Sequence, residues 1–268
     1  MSTKQLLKRL AVDGLSRANA FPSRKTSLDE VATLIGSLRP VDIGKPLIRL
    51  GPAGDGGYLV PDDLVGITAL FSPGVDQVSG FELDCAELGM DVFMADRSVD
   101  APPIAHERFN FVRKYIGATN NEAFMTLDSW VASAGDKGEG DLLLQIDIEG
   151  YEYEAFMSLS DELLSRFRII AAEFHDLNML WSKPFFRIAS RVFEKILQTH
   201  YCVHIHPNNV GEIIHVDGLE IPLLAEFTFI RRDRALSTDF VRSFPHPLDA
   251  DNSPLPSMPL PACWYGCR

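Results

Sequence analysis

Acidic and imidazole side chains recur in pairs at the ends of three apolar segments. The pairs are Asp147 with Glu149, Glu173 with His175, and His204 with His206. A spacing of two residues places both members of a pair on one face of an extended strand. Carboxylates and imidazoles that meet at strand ends can bind a divalent metal ion or transfer a proton. The three pairs therefore predict a polar site at one edge of a sheet.

Two chemistries fit these side chains. In the first, Asp147, Glu173, His175 and His206 hold a divalent metal ion, and the two imidazoles favour manganese, iron or zinc over calcium. In the second, no metal is present, and His175 or His206 is the general base while Asp147 or Glu173 fixes its tautomer. Both make Asp147, His175 and His206 the catalytic residues and require them to converge in one cavity. A purely structural role for each side chain is the third interpretation.

The residues after the first two apolar strands have features of a cofactor site. Gly74, in SPGVD, lies between a strand and a helix, where a polar group can approach the backbone closely. This segment is not GxGxxG, because Asp76 stands where a second Gly would be expected. Asp96 closes the next strand, 22 residues after Gly74, where an acid accepts hydrogen bonds from ribose hydroxyls. A turn or helix N-cap Asp is the alternative.

A Gly-rich segment upstream, GDGGY, contains Asp55 and Tyr58. We expect it either to lie over the cofactor or to form a plain β-hairpin turn. The predicted cofactor-binding residues are thus Asp55, Tyr58, Gly74, Asp76, Asp96 and Asp147.

Seven apolar segments alternate with helical patterns and predict an α/β, Rossmann-like fold. The sheet is expected to be mostly parallel, with helices on both faces. A polar turn replaces the helix before the last segment, so that strand is expected to be antiparallel. In an open parallel sheet, ligands bind outside the carboxyl ends of the strands, where the candidate residues lie. The predicted strands are 67–72, 91–96, 109–117, 141–150, 168–175, 201–209 and 223–232.

Three regions are expected along the chain: an N-terminal helical extension over 1–45, a Rossmann-like domain over 46–243, and a Pro-rich irregular tail over 244–268. Ser27 and Glu30 have the spacing of a capping box, which predicts a helix start within the first region.

Composition excludes several classes of protein. Lys and Arg number 25 against 37 Asp and Glu, a net charge of −12, which disfavours nucleic acid as a partner. No apolar run approaches the roughly 18 residues that a membrane span needs, and the N-terminus lacks the pattern of a secretory signal. The four cysteines form no CxxC pair, so we expect free thiols and a cytoplasmic protein. The oligomeric state is left open.

The segment LLLQIDIEGYEYEAF resembles the signature of the FkbM-type S-adenosylmethionine-dependent methyltransferases, an apolar run followed by Asp-x-Glu-Gly-x-Glu. RLGPAGDGGYLV, SPGVDQVSGFEL, TLDSW and IIAAEFH resemble other segments of that family in the same order. The resemblance covers roughly residues 45–232. It implies the class I methyltransferase fold, S-adenosylmethionine as cofactor and methyl transfer, usually to oxygen.

Two functions of different class follow. The first is an O-methyltransferase that acts on a small hydroxylated molecule, such as a sugar or secondary metabolite. The second is a non-catalytic Rossmann-like module whose altered SPGVD loop no longer holds cofactor. The many polar side chains on one rim favour the enzyme, since buried polar groups are costly to keep. An NAD-dependent oxidoreductase is a third interpretation, and the missing GxGxxG disfavours it.

Overall fold

The computed structural model describes residues 23–135 and 140–266. The helix expected near the N-terminus before residue 23 and Cys267 lie outside these ranges. The helices are α1 (Leu28–Ser37), α2 (Gly80–Glu87), α3 (Leu127–Ser133), α4 (Glu152–Ser158), α5 (Asp161–Arg166) and α6 (Lys183–Thr199). None of the helices in the described ranges is long and apolar enough to cross a membrane.

Seven strands form the central sheet, and shorter strands form four accessory pairs. The central strands are β4 (Ile67–Pro73), β5 (Asp91–Ala95), β6 (Phe109–Val112), β9 (Asp141–Ile146), β10 (Phe167–Phe174), β11 (His200–Pro207) and β14 (Ala225–Arg231). The accessory strands are β1 (Val41–Asp42), β2 (Leu47–Leu50), β3 (Tyr58–Pro61), β7 (Tyr115–Ile116), β8 (Phe124–Met125), β12 (Ile213–Val216), β13 (Leu219–Pro222) and β15 (Asp239–Phe240).

The central strand order is β11-β14-β10-β9-β4-β5-β6. The five strands from β10 to β6 are parallel, whereas β14 runs antiparallel to both of its neighbours. Every residue of β10 is buried, as expected for a parallel strand covered on both faces. The predicted fold, a mostly parallel seven-stranded sheet closed by an antiparallel last strand, is therefore confirmed.

The two faces of the sheet are covered differently. One face packs against α1, α3, α4, α5 and α6. The other packs against α2 and the β2–β3 hairpin, which contributes Tyr58 and Val60 to the core. The capping box predicted at Ser27 and Glu30 is present at the start of α1. Helices lie on both faces, as expected.

Several element boundaries differ from the sequence-based expectation. The strand predicted over 141–150 ends at Ile146, so Asp147 and Glu149 lie in the turn that follows it and not on one face of a strand. The strand predicted over 109–117 ends at Val112, and the next strand, β7, pairs with β8 instead. Because Phe124–Met125 is extended, the following helix begins only after Thr126, whose side chain caps it. The helix expected after Gly150 is divided into α4 and α5 by Ser160, which accepts a hydrogen bond from the Leu163 backbone.

The Pro-rich tail wraps over the sheet edge next to β11. Asp249 contacts His204 on β11, and Asn209 donates to the carbonyls of Ser253 and Leu255. Trp264 is buried and donates to the Glu220 carbonyl. The tail is therefore irregular but tied to the core.

Candidate active site

A cavity of about 600 Å³ opens at the carboxyl ends of β4, β5 and β9. All six residues predicted to bind cofactor line it: Asp55, Tyr58, Gly74, Asp76, Asp96 and Asp147. The GDGGY segment forms the hairpin turn between β2 and β3 and also covers this cavity. The two interpretations of that segment are thus compatible.

Gly74 brings the loop after β4 against the end of β9. Its φ is +90°, and a Cβ at this position would lie 1.6 Å from the carbonyl oxygen of Asp147. The Gly74 backbone N–H donates to the Ala95 carbonyl at the end of β5. Only glycine permits this close approach, so Gly74 sets the shape of the cavity floor.

Asp96 joins two loops of the site. Its Oδ2 accepts from the backbone N–H groups of Val75 and Asp76 at 3.1 Å. Its Oδ1 accepts from the backbone and hydroxyl of Ser98 at 2.7 Å. These four bonds use the acceptor positions of a carboxylate. Of these four donors, only the Ser98 hydroxyl can rotate away.

Three aromatic rings form another wall, and sequence reasoning missed them. The ring of Phe124 lies between those of Tyr115 and Tyr151, with centroid distances of 5.3 and 5.7 Å. Both tyrosines are exposed, so these rings offer an apolar surface to a planar group. Tyr115 and Phe124 lie in the two-residue strands β7 and β8, which have no sequence pattern that could have identified them.

All charged side chains among the described residues that line the cavity are acidic. Six carboxylates line it, and none of its described lining residues is Lys, Arg or His.

Burial raises the pKa of Glu82 to about 7, partly offset by its hydrogen bond with Ser72. Ser72 also bonds to Gln145, which donates to the Tyr58 hydroxyl at 3.2 Å. This chain of contacts holds Tyr58 against the cavity.

The Asp-x-Glu-Gly-x-Glu signature turns the chain from β9 into α4. Glu149 and Gly150 both have positive φ, at +57° and +96°, a conformation that costs energy at Glu149. The Glu152 side chain is completely buried, and its Oε1 accepts from the backbone N–H groups of Ile148 and Gly150. The signature thus fixes its own turn through Glu152.

His175 lies between the acids of this signature. Its Nε2 is 3.9 Å from Asp147 Oδ1 and 3.4 Å from Glu149 Oε2, and its Nδ1 is 3.3 Å from Glu152 Oε1. Burial lowers the pKa of His175, but the three carboxylates outweigh it and raise that pKa. Burial also raises the pKa of Asp147, to about 6. Sequence reasoning missed Glu152 as the partner of His175.

The structure corrects the prediction that His206 converges with Asp147 and His175. His206 lies 3.8 Å from Asp249 and lines a second cavity, of about 530 Å³, between β11 and the tail. Strand β14 separates β11 from β10, which places His206 two strand spacings, about 10 Å, across the sheet from β10. His206 is therefore neither a catalytic nor a metal-ligand candidate of the first cavity.

Glu173 also differs from its predicted role as a metal ligand. It is buried, shares a hydrogen bond with Asp147, and accepts from Asn208 Nδ2 at 2.9 Å. Burial and the neighbouring Asp147 raise its pKa well above the usual range. Glu226 on β14 lies directly opposite Glu173 and was not predicted. Asp147 therefore contacts Glu173 on one side, and one ligand atom of Asp147 lies within 4.8 Å of ligand atoms of His175 and Glu149.

Residues 98–198 match the model of the Methyltransferase FkbM domain. No curated protein sequence matches significantly.

Two solved structures are similar at low identity. One, provisionally described as a DNA modification methyltransferase encoded within an E. coli prophage, is 10% identical with a TM-score of 0.39. The match covers 62% of this chain and 47% of that one, so the chain spans about half its length. The other, provisionally described as a methyltransferase from an antibiotic biosynthesis pathway of Anabaena variabilis, is 13% identical with a TM-score of 0.31. That match covers 69% of this chain and 67% of the other.

The family match includes β6, α3, β9, α4, α5, β10 and most of α6, and therefore the signature and the residues around His175. The predicted resemblance is confirmed over this segment, which matches the model of the Methyltransferase FkbM domain.

Proposed function

We propose that this protein transfers the methyl group of S-adenosylmethionine to a hydroxyl oxygen of a small molecule, such as a sugar or a secondary metabolite. The observation that carries the proposal is the cavity lined by six carboxylates and, among its described residues, by no cationic side chain. S-adenosylmethionine has a sulfonium and an ammonium group against one carboxylate, so its net charge is positive. A site of this charge attracts it.

The residues present fit this cofactor. The volume of about 600 Å³ falls in the usual range of small-molecule sites. Asp96 and the rings of Tyr115, Phe124 and Tyr151 are suited to an adenosine group, because they combine hydroxyl acceptors with aromatic faces. Asp147, Asp55 and Tyr58 would lie toward the charged methionine portion.

The same charge argues against NAD. A dinucleotide carries a pyrophosphate, which proteins bind with helix N-termini, Gly-rich turns and cationic side chains. Here Asp76 and Asp96 line the loop where that pyrophosphate would bind.

The cofactor supplies an electrophilic methyl carbon bound to a positively charged sulfur. When bound, it would give that methyl carbon to the acceptor oxygen, and the carbon–sulfur bond would break with its electron pair left on sulfur. The hydroxyl proton must leave the oxygen, and the group of Asp147, Glu149 and His175 lies at the rim to assist its departure. Glu152 Oε1 lies 3.3 Å from His175 Nδ1, while His175 Nε2 faces Asp147 and Glu149.

A non-catalytic binding module is the second candidate. Asp147 Oδ1 is buried and has no hydrogen-bond partner among the described residues. Such a group is costly in a module without chemistry, which favours the enzyme. A cytoplasmic location, expected from the cysteines, stays a prediction.

Calorimetric titration of the purified protein with S-adenosylmethionine, and separately with NAD, tests the proposal. We expect binding of S-adenosylmethionine in the micromolar range and no measurable heat with NAD. Tighter binding of NAD, or no binding of S-adenosylmethionine, would contradict it.

A further inference from the structure

We infer that Asp147, Glu149 and His175 form a binding site for one divalent transition-metal ion, which would hold an acceptor carrying two neighbouring oxygen atoms. The acceptor class rests on the proposed function, whereas the metal site rests on geometry alone. This set differs from the one that the sequence predicts, because Glu149 replaces Glu173 and His206.

The spacing of the three side chains suits a single ion. One ligand atom from each residue lies within 4.8 Å of the other two. Ligand atoms at about 2.0–2.2 Å from a shared ion lie within roughly 4.4 Å of one another. Small side-chain rotations would therefore bring all three ligand atoms within coordination distance of one ion. Two carboxylates and a neutral imidazole also balance the charge of a divalent cation.

Glu152 supplies the second, independent observation. Its side chain has no solvent exposure, and its Oε1 is held by two backbone N–H groups while facing His175 Nδ1 at 3.3 Å. A carboxylate at one imidazole nitrogen directs the other nitrogen toward a metal, an arrangement common among histidine ligands. Here Nε2 faces Asp147 and Glu149.

Two further atoms point to a missing partner. Asp147 Oδ1 and Glu152 Oε2 are both buried without a hydrogen-bond partner among the described residues. Buried oxygens of this kind call for a cation or a donor. An ion bound by Asp147 would satisfy the first directly.

The position of the site indicates what the ion would do. Asp147 and Glu149 line the cavity, so the open coordination positions are expected to face the bound acceptor. Three protein ligands leave room for two substrate oxygens. With the ion in place, His175 Nε2 is a ligand rather than a base. A bound ion would lower the pKa of the acceptor hydroxyl, whose proton would leave to water beside the exposed Glu149.

Binding of Mn²⁺ alone to the chelator-stripped protein, followed by electron paramagnetic resonance, tests the inference. The signal of free Mn²⁺ should decrease with a stoichiometry of one ion per chain. His175→Gln and Glu149→Gln should each weaken binding at least tenfold. Glu152→Gln should weaken it roughly tenfold or more, as loss of an outer carboxylate does elsewhere.

Two matched variants serve as controls. Glu154→Gln alters an exposed acid in the same helix, α4, and His206→Gln alters the imidazole that the structure places elsewhere. Both should bind Mn²⁺ as the wild type does. Failure of the wild type to bind Mn²⁺, or equal weakening by Glu152→Gln and Glu154→Gln, would overturn the inference. Binding of S-adenosylmethionine to the metal-free protein distinguishes that failure from a failure of the proposed function.

Discussion

Strand β9 begins with Asp141, and Asp147 directly follows its last residue. The surroundings of these two aspartates are opposite in charge. Asp141, at the amino end, accepts from Arg168 Nε and Arg231 Nη1, both at 2.6 Å. Burial alone would raise the pKa of Asp141, but the two arginines outweigh it and lower that pKa. Asp147, just past the carboxyl end, has no arginine or lysine partner in the described residues, and burial raises its pKa to about 6.

The same contrast extends along the two edges of the sheet. Asp63, near the amino end, pairs with Lys45 and Arg234, which overcome burial and lower its pKa to about 2. At the carboxyl edge, burial raises the pKa of Glu82 to about 7. Paired acids hold the fold together, whereas unpaired acids at the carboxyl edge cost stability and are available to a ligand.

The largest expected effect is at the amino end. Asp141→Asn leaves Arg168 and Arg231 without their shared carboxylate, and the Arg168 side chain is only 7% exposed. We expect a loss of about 2–4 kcal/mol in the free energy of unfolding, measured by urea denaturation. Asp91→Asn removes an exposed pair with Arg108 and should change stability by less than about 0.5 kcal/mol. Similar small effects of both variants would show that Asp141 is not structural.

The acids at the amino end have lowered pKa values, so they stabilise the fold more as the pH rises. Glu82, at the carboxyl edge, should have the opposite effect. Folding raises the pKa of Glu82 from 4.5 to about 7, so between these pH values Glu82 takes up a proton when the protein folds. Its stabilising contribution is complete below pH 4.5 and is lost as the pH rises through 7. Glu82→Gln should therefore stabilise the protein at pH 8, by up to about 3 kcal/mol, and have little effect at pH 4.5.

Unfolding curves of Glu82→Gln at the two pH values make this measurement. Glu87→Gln, at the exposed end of the same helix, is the control and should show no such difference. An equal effect of Glu82→Gln at both pH values would mean that folding does not raise the pKa of Glu82, contrary to this account.

Of the three acids Asp141, Glu82 and Asp147, we expect Asp147 to have the smallest effect on stability when its charge is removed. Asp147→Asn removes a charge that burial disfavours, so at pH 7.5 the free energy of unfolding should stay the same or rise by about 1 kcal/mol. Thermal and urea unfolding beside Asp141→Asn make the comparison. A loss above 1 kcal/mol would assign Asp147 to the structural acids.

The position of the cavity could be predicted from the sequence, because ligands bind at the carboxyl ends of the strands in an open parallel sheet. Apolar runs identified the strands, and the carboxyl ends of parallel strands share one edge, so Gly74, Asp96 and Asp147 had to lie close together. Alternation along a strand predicts the face of a side chain but not its distance across the sheet. His206 was therefore misplaced, since β14 lies between β11 and β10.

Glu152 is the last residue of the signature, but its contact with His175, like the aromatic wall, could not be predicted from the sequence, for a different reason. Glu152 belongs to a helix, where a buried acid has no periodic pattern to reveal it, and its role depends on the turn at Glu149 and Gly150. Tyr115 and Phe124 come together through the short pairing of β7 with β8, which two-residue strands do not signal.

Titration of S-adenosylmethionine into two variants of strand β5 tests the central claim most directly. Asp96→Asn changes the acid that follows its carboxyl end, and Asp91→Asn changes the acid at its amino end. We expect micromolar affinity in the wild type, a loss of about 1.5–3 kcal/mol in Asp96→Asn, and unchanged affinity in Asp91→Asn, with both variants folded by thermal melting. Equal affinities in all three proteins, or none in the wild type, would contradict the assignment of the carboxyl edge as the cofactor site.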